Sequence, residues 1–151
     1  MTDIALIWNP ALGRADIALA GPDLQTDNGL ETAVILSLFT DRLADAADAI
    51  PDGSDDPRGW WGDQPLSTAP DTTMDLTGSR LWLLARARQL PETQRQAETY
   101  ARESLAWMLR DGAAGGIDVV ATFPRLGWLS LSITINQAGG SQEFNFAWQA
   151  T

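Results

Sequence analysis

The sequence has no cysteine, no histidine and no lysine; its ten basic residues are all arginine. Without cysteine there is no disulfide framework and no thiolate metal site. Without histidine the commonest general base and the commonest metal ligand are both missing. Nucleophilic pairs of the Ser-His, Cys-His and Ser-Lys kinds are therefore excluded by composition. Long apolar runs are also missing, and no stretch approaches the length of a membrane span. The start, MTDIALIWNP, carries an acid where a signal peptide carries a basic segment, so no leader is expected.

What is present is acid. Twenty Asp and Glu against ten Arg leave a net charge of −10. Phosphate neutralisation needs clustered cations, so a nucleic-acid surface is not expected, nor is docking on an anionic membrane. At 151 residues the chain fits a single domain, 1–151, able to bury roughly 68–70% of its unfolded surface.

The pattern along the chain predicts an α+β fold. Ile4, Leu6 and Trp8 alternate, NPALG turns the chain, and Ala15, Ile17 and Leu19 alternate again, which is a hairpin stopped by Gly21-Pro22. A first helix is expected from Asn28, with Asn28 and Glu31 as a capping box and Leu30, Val34, Ile35, Leu38, Phe39 and Leu43 at helical spacing. GSRLWLLARARQL predicts a second, short helix with Leu81, Trp82 and Leu84 on its apolar side. ETQRQAETYARESLAWMLRDG predicts a third, with Pro91 opening it, Ala97, Tyr100, Ala101, Leu105 and Met108 in one stripe, and Gly112 ending it. GIDVVATF, WLSLSITIN and EFNFAW then read as an antiparallel three-stranded meander with one wet face. The expected architecture is an antiparallel sheet, the N-terminal hairpin plus the C-terminal meander, with about three helices packed on one side.

A long polar loop, 45–76, interrupts this pattern, and RGWWGD sits in its middle. Loops of that length in compact domains are usually functional. Neighbouring residues in extended backbone point opposite ways, so one ring of Trp60-Trp61 is expected in the core and the other outward as an interaction anchor. Arg58 and Asp63 flank the pair and are expected to bond to each other or to backbone groups. The acid clusters at 52–56 and 71–75 match no EF-hand and are read as turn formers in preference to a cation site. Glu31, Glu98 and Glu103 are read as a cap and solvated helix faces, not a glycosidase pair. No catalytic, cofactor or metal site is expected. Arg80, Arg86, Arg88 and Arg95 put a basic stretch on the middle helices, either a solvated face or a docking face for an acidic partner.

Three segments carry a resemblance: FTDRLADAADAIPDGSDDPRGWWGD, GSRLWLLARAR and TYARESLAWMLRDG. Together they resemble the small baseplate proteins of Mu-like contractile-tailed phages and prophages, over essentially residues 1–150. RGWWGD with GSRLWLL is the specific part. Arg88 departs from the lysine that such proteins often carry, without changing the charge. The resemblance implies a virion structural protein and no enzyme: an adaptor, repeated six-fold, that joins larger wedge subunits and templates the contractile sheath. Implied partners are wedge subunits and the tail sheath protein, with hub or tube proteins next; the implied location is the tail baseplate, assembled in the host cytoplasm. A lysozyme-like glycan hydrolase and a tail assembly factor absent from the virion are the alternatives. The contact residues expected are Arg58, Trp60, Trp61, Asp63, Arg86 and Arg88, with Phe144, Phe146 and Trp148 in a sheet that receives or supports an added strand.

Overall fold

The computed structural model describes residues 3–27, 29–63 and 76–150. The chain opens with six short strands: β1 (Asp3–Ile4), β2 (Leu6–Asn9), β3 (Arg14–Ile17), β4 (Leu19–Ala20), β5 (Asp23–Leu24) and β6 (Thr26–Asp27). Helix α1 (Glu31–Phe39) follows, then a 3₁₀ turn at Trp61–Asp63, a five-residue 3₁₀ helix at Arg80–Leu84 and helix α2 (Pro91–Arg110). Strands β7 (Gly116–Thr122), β8 (Trp128–Gln137) and β9 (Gly140–Gln149) close the chain. The α+β class expected from the sequence is observed.

The meander pairs in the order β7-β8-β9, antiparallel throughout. Its inner face carries Val119, Ala121, Leu129, Leu131, Ile133, Ile135 and Phe146, all buried in one core with Val34, Ile35, Leu38, Ala101, Leu105 and Met108 from the helices. Ser130, Ser132 and Thr134 take the opposite face, as period-two alternation requires. On α2, Ala97 and Ala101 are fully buried, and their small side chains let the helix lie close on the sheet.

The N-terminal hairpin is present as β2 paired with β3, Leu6 opposite Ile17 and Trp8 opposite Ala15. It is not part of the meander: among the described residues the first six strands form three separate two-stranded sheets. Gly21-Pro22 stops the strand as expected, β4 ending at Ala20, and turns the chain back into β5. An isolated two-stranded ribbon is marginal in water, and this one is anchored by Trp8. The Trp8 indole stacks on Phe39 with centroids 3.8 Å apart, and its Nε1 donates to the Ala147 carbonyl at 3.0 Å.

The helices differ from expectation. Among the described residues there are two α-helices, and the second expected helix is a single 3₁₀ segment. Its continuation is stopped at Arg86, whose φ is +66° and whose N–H donates to the Ala150 carbonyl; a tertiary hydrogen bond wins over local propensity. Helix α1 ends at Phe39, before the expected Leu43. There Thr40 and Arg42 turn to pair with Ser79, and the Ser79 hydroxyl donates to the Leu38 carbonyl. Gly78 is needed at this crossing, since a Cβ there would lie 2.2 Å from the Thr40 carbonyl oxygen.

Asn28, the expected cap, lies outside the described residues. Asp27 does the capping that is visible: its carboxylate accepts from the Gly29 N–H at 2.7 Å and the Thr32 N–H at 3.0 Å. The Thr32 hydrogen bond, against burial, lowers the Asp27 pKa below its ordinary 3.8. A depressed carboxylate contributes stability that is complete above 3.8 and is lost as pH falls through the lower folded value. Asp27→Asn is therefore expected to unfold more easily at neutral pH, with the difference from the parent narrowing below 3.8; urea midpoints measured across that window test it.

Candidate functional site

The long loop is fastened by charged side chains on its near side. Arg80, from the 3₁₀ segment, reaches Asp45 at 2.6 Å, Asp48 at 3.1 Å and Glu103 at 3.1 Å. Arg42 adds a second bridge to Glu103 at 3.3 Å. Arg80 also lies over the Tyr100 ring, 4.7 Å from its centroid. Its pKa is raised: burial works against the charge, but Asp48 and Glu103 more than offset it. Arg80 is thus a structural staple and drops out of the expected docking face.

Arg58 and Asp63 do not pair with each other. Arg58 bridges to Asp41 at 2.7 Å, and its guanidinium sits 4.4 Å above the Trp82 ring. Asp63 accepts from the Thr77 N–H at 2.8 Å and the Thr77 hydroxyl at 2.7 Å. The two flanking charges hold opposite ends of the RGWWGD segment to the body.

Neither tryptophan enters the core. Trp60 is 43% exposed and Trp61 is 81% exposed, with ring centroids 5.4 Å apart. The expectation of one inward ring fails because the backbone is not extended there. Residues Trp61–Asp63 form a 3₁₀ turn closed by the Asp63 N–H on the Trp60 carbonyl. The Trp60 ring folds over Gly62, where a Cβ would lie 2.2 Å from it. The buried tryptophan beneath the loop is Trp82, whose Nε1 donates to the Arg42 carbonyl at 2.9 Å.

The meander has two unlike edges. Ile133 lies opposite both Val119 and Phe144, and its polar backbone groups serve one neighbour only. On β7 the outward groups belong to Ile117, Val119 and Ala121. Helix α2 covers two of these groups: Arg102 Nη2 donates to the Val119 carbonyl at 2.8 Å, and Glu98 Oε1 accepts from the Ala121 N–H at 3.1 Å. On β9 the outward groups belong to Ser141, Glu143, Asn145 and Ala147. Trp8 covers the Ala147 carbonyl. Among the described residues nothing meets the outward backbone groups of Ser141, Glu143 and Asn145. Phe144, Phe146 and Trp148 face the core, Phe146 edge-on to both Trp8 and Phe39. They support this edge from beneath, and what the edge presents to solvent is backbone.

Arg86 and Arg88 are exposed but stand on the turn and connector before α2, not on a helix. No sequence signal marks Arg125, which lies 3.9 Å over the Trp128 ring at the same end of the molecule.

Among the described residues the carboxylates on the helices are taken up by arginines. Glu98 and Glu103 are engaged by Arg102, Arg42 and Arg80. Among the described residues a groove of 320 Å3 between α1 and α2 has no carboxylate in its lining. A second, of 260 Å3, has among them only Asp41, already bound to Arg58. Asp52 accepts from the Ser54 N–H and hydroxyl, a turn within the loop, and no group of three metal-ligating side chains occurs among the described residues. The 71–75 cluster lies outside them.

Residues 30–142 match the family described as Phage protein GP46. The chain belongs to that family. It is 47% identical over 141 residues to the baseplate protein gp46 of Escherichia phage Mu, an alignment covering 93% of this chain and 91% of that one. It is 37% identical over 143 residues to the Mu-like prophage FluMu protein gp46 of Haemophilus influenzae, covering 95% and 93%. The GP46 match includes the loop, both helices and most of the meander, so the resemblance read from RGWWGD and its neighbours is borne out.

The two kinds of tryptophan separate in a stability measurement. Trp82→Ala is expected to cost about 3–5 kcal/mol, as a buried aromatic does. Trp61→Ala is expected to change stability by no more than about 0.5 kcal/mol. Urea unfolding of the two variants checks both values.

Proposed function

We propose that this chain is a structural component of the baseplate of a Mu-like contractile tail, an adaptor that joins larger wedge subunits and presents a template for the first sheath ring. Its place is the virion tail baseplate, assembled in the host cytoplasm, in six copies, beside wedge and sheath subunits and near hub or tube proteins. The observation that carries this reading is 47% identity, over nearly the whole chain, to a protein named for the baseplate.

Two surfaces support the adaptor role. The free edge of β9 from Ser141 to Asn145 offers a short template for strand addition, in which backbone groups supply affinity and register. The Trp60-Trp61 pair offers exposed aromatic area on a loop held by Arg58 and Asp63. Large rigid aromatics dominate interface energetics, and presenting them on a fastened loop reduces the ordering cost of binding. In this reading the tryptophans meet a wedge subunit and the strand edge meets the sheath.

Proline scanning distinguishes edge from core. Glu143 directs its N–H outward, so Glu143→Pro leaves the β8-β9 ladder intact, whereas Phe144→Pro removes a hydrogen bond to Ile133. Glu143→Pro is expected to fold and to enter baseplates when expressed with the other tail genes, but to give few sheathed tails. Sheathed tails at parental numbers would contradict the templating role. Phe144→Pro is expected to fail at folding.

A further inference from the structure

One end of this acidic molecule carries no acid in the three segments that build it. No Asp or Glu occurs between Leu76 and Pro91, between Val119 and Gln142, or after Glu143. The three segments meet there. The Arg86 N–H donates to the Ala150 carbonyl, the Ala150 N–H donates to the Gly127 carbonyl, and Gln89 Nε2 donates to the Arg125 carbonyl at 3.0 Å and the Trp128 carbonyl at 3.3 Å. The backbone of this end is therefore cross-tied, and its surface side chains stand on a fixed frame.

Those side chains are Arg86, Arg88, Arg125, Leu90 and Leu126. Arg42, Arg58, Arg80, Arg102 and Arg110 each bridge to a carboxylate. Arg86, Arg88 and Arg125 bridge to none among the described residues, nor do Arg14 and Arg95, although the chain holds twice as many acids as bases. Arg125 rests on the Trp128 ring instead, which fixes its guanidinium plane without using its charge. At the same end stands Leu126, 91% exposed at the tip of the turn that ends at Gly127, with Leu90 also exposed nearby in the fold. Glu92, exposed on the first turn of α2, borders this end. Three unneutralised, weakly hydrated cations and an aliphatic knob on a rigid frame suit a protein surface of opposite sign. A polyanionic nucleic acid fits poorly, since the remaining surface of a chain at −10 repels it.

We propose that this end docks onto another baseplate subunit, at an apolar pocket that receives Leu126 and is rimmed by Asp or Glu side chains that pair with Arg86, Arg88 and Arg125. The proposal rests on the baseplate reading and names the chemistry of one of its partners. It is independent of the β9 edge and of the tryptophan pair.

The test uses the full chain carrying a photo-crosslinking phenylalanine derivative at position 126, expressed with the remaining tail genes. After irradiation of purified baseplates, mass spectrometry is expected to find one cross-linked tail subunit, attached within a segment containing several Asp or Glu. The R86E/R88E/R125E variant is expected to fold with the parental unfolding midpoint and to enter baseplates about tenfold less well at low salt, the salt dependence of entry being lost with it. Leu126→Asp, a milder change at an exposed site, is expected to reduce entry as well. A cross-link to a segment without carboxylates, a cross-link to a second copy of this chain, no cross-link in baseplates that contain the protein, or undiminished entry of the charge-reversed variant would each overturn the proposal and leave the baseplate reading standing. Absence of the parental chain from baseplates would overturn both.

Discussion

The structure depends on the unequal treatment of the two edges of its three-stranded sheet. A small sheet has as much edge as interior, and every edge group must find water, a side chain or another chain. Here α2 caps the middle of one edge with its own ion pair. Glu98 and Arg102, one helical turn apart, reach past each other to one N–H and one carbonyl of β7. Those contacts also fix how α2 lies on the sheet, and so where the core under Ala97, Ala101 and Leu105 closes. The opposite edge is covered only at its far end, by Trp8. One margin thus carries two caps from its own helix, and the other a single cap, from Trp8.

The absence of lysine follows a similar logic. The described residues 45–60 of the polar loop are mostly exposed, and arginine forks hold it. Arg80 meets three carboxylates, Arg42 shares one of them, and Arg58 combines an ion pair with the face of Trp82. A planar guanidinium makes such multiple contacts where an ammonium acts as a point charge. Exposed pairs such as Arg58–Asp41 contribute about 0–1 kcal/mol each; their effect here is to fix where Trp60 and Trp61 are presented. Carboxylates that might have suggested hydrolysis, Glu98 and Glu103, are occupied in the same architecture.

Much of this was legible in the residues. The meander could be read because period-two alternation in WLSLSITIN is strict and one face must be buried. Helix α2 could be read because Pro91 and Gly112 bracket a clean apolar stripe. The failures share a cause: a tertiary contact replaced a local preference. GSRLWLLARARQL has helical composition, yet the Arg86 N–H belongs to Ala150, far away in sequence. The inward tryptophan was expected from extended backbone, and a 3₁₀ turn supplied a different geometry. The hairpin's separation from the meander and the capping of β7 depend on partners outside their own segments, and neither leaves a periodic trace. Arg125 was overlooked because a lone arginine in a turn looks like any solvated residue until the fold places Arg86 and Arg88 at the same end.

The claim at the centre is that β9 keeps an open margin until another chain fills it. Amide hydrogen exchange, resolved residue by residue, measures this directly. In the isolated protein the outward amides of Glu143 and Asn145 should exchange rapidly while the inward amide of Phe144 is protected. In assembled tails all three should be slow. Outward amides already protected in the isolated protein, or still unprotected in sheathed tails, would contradict it.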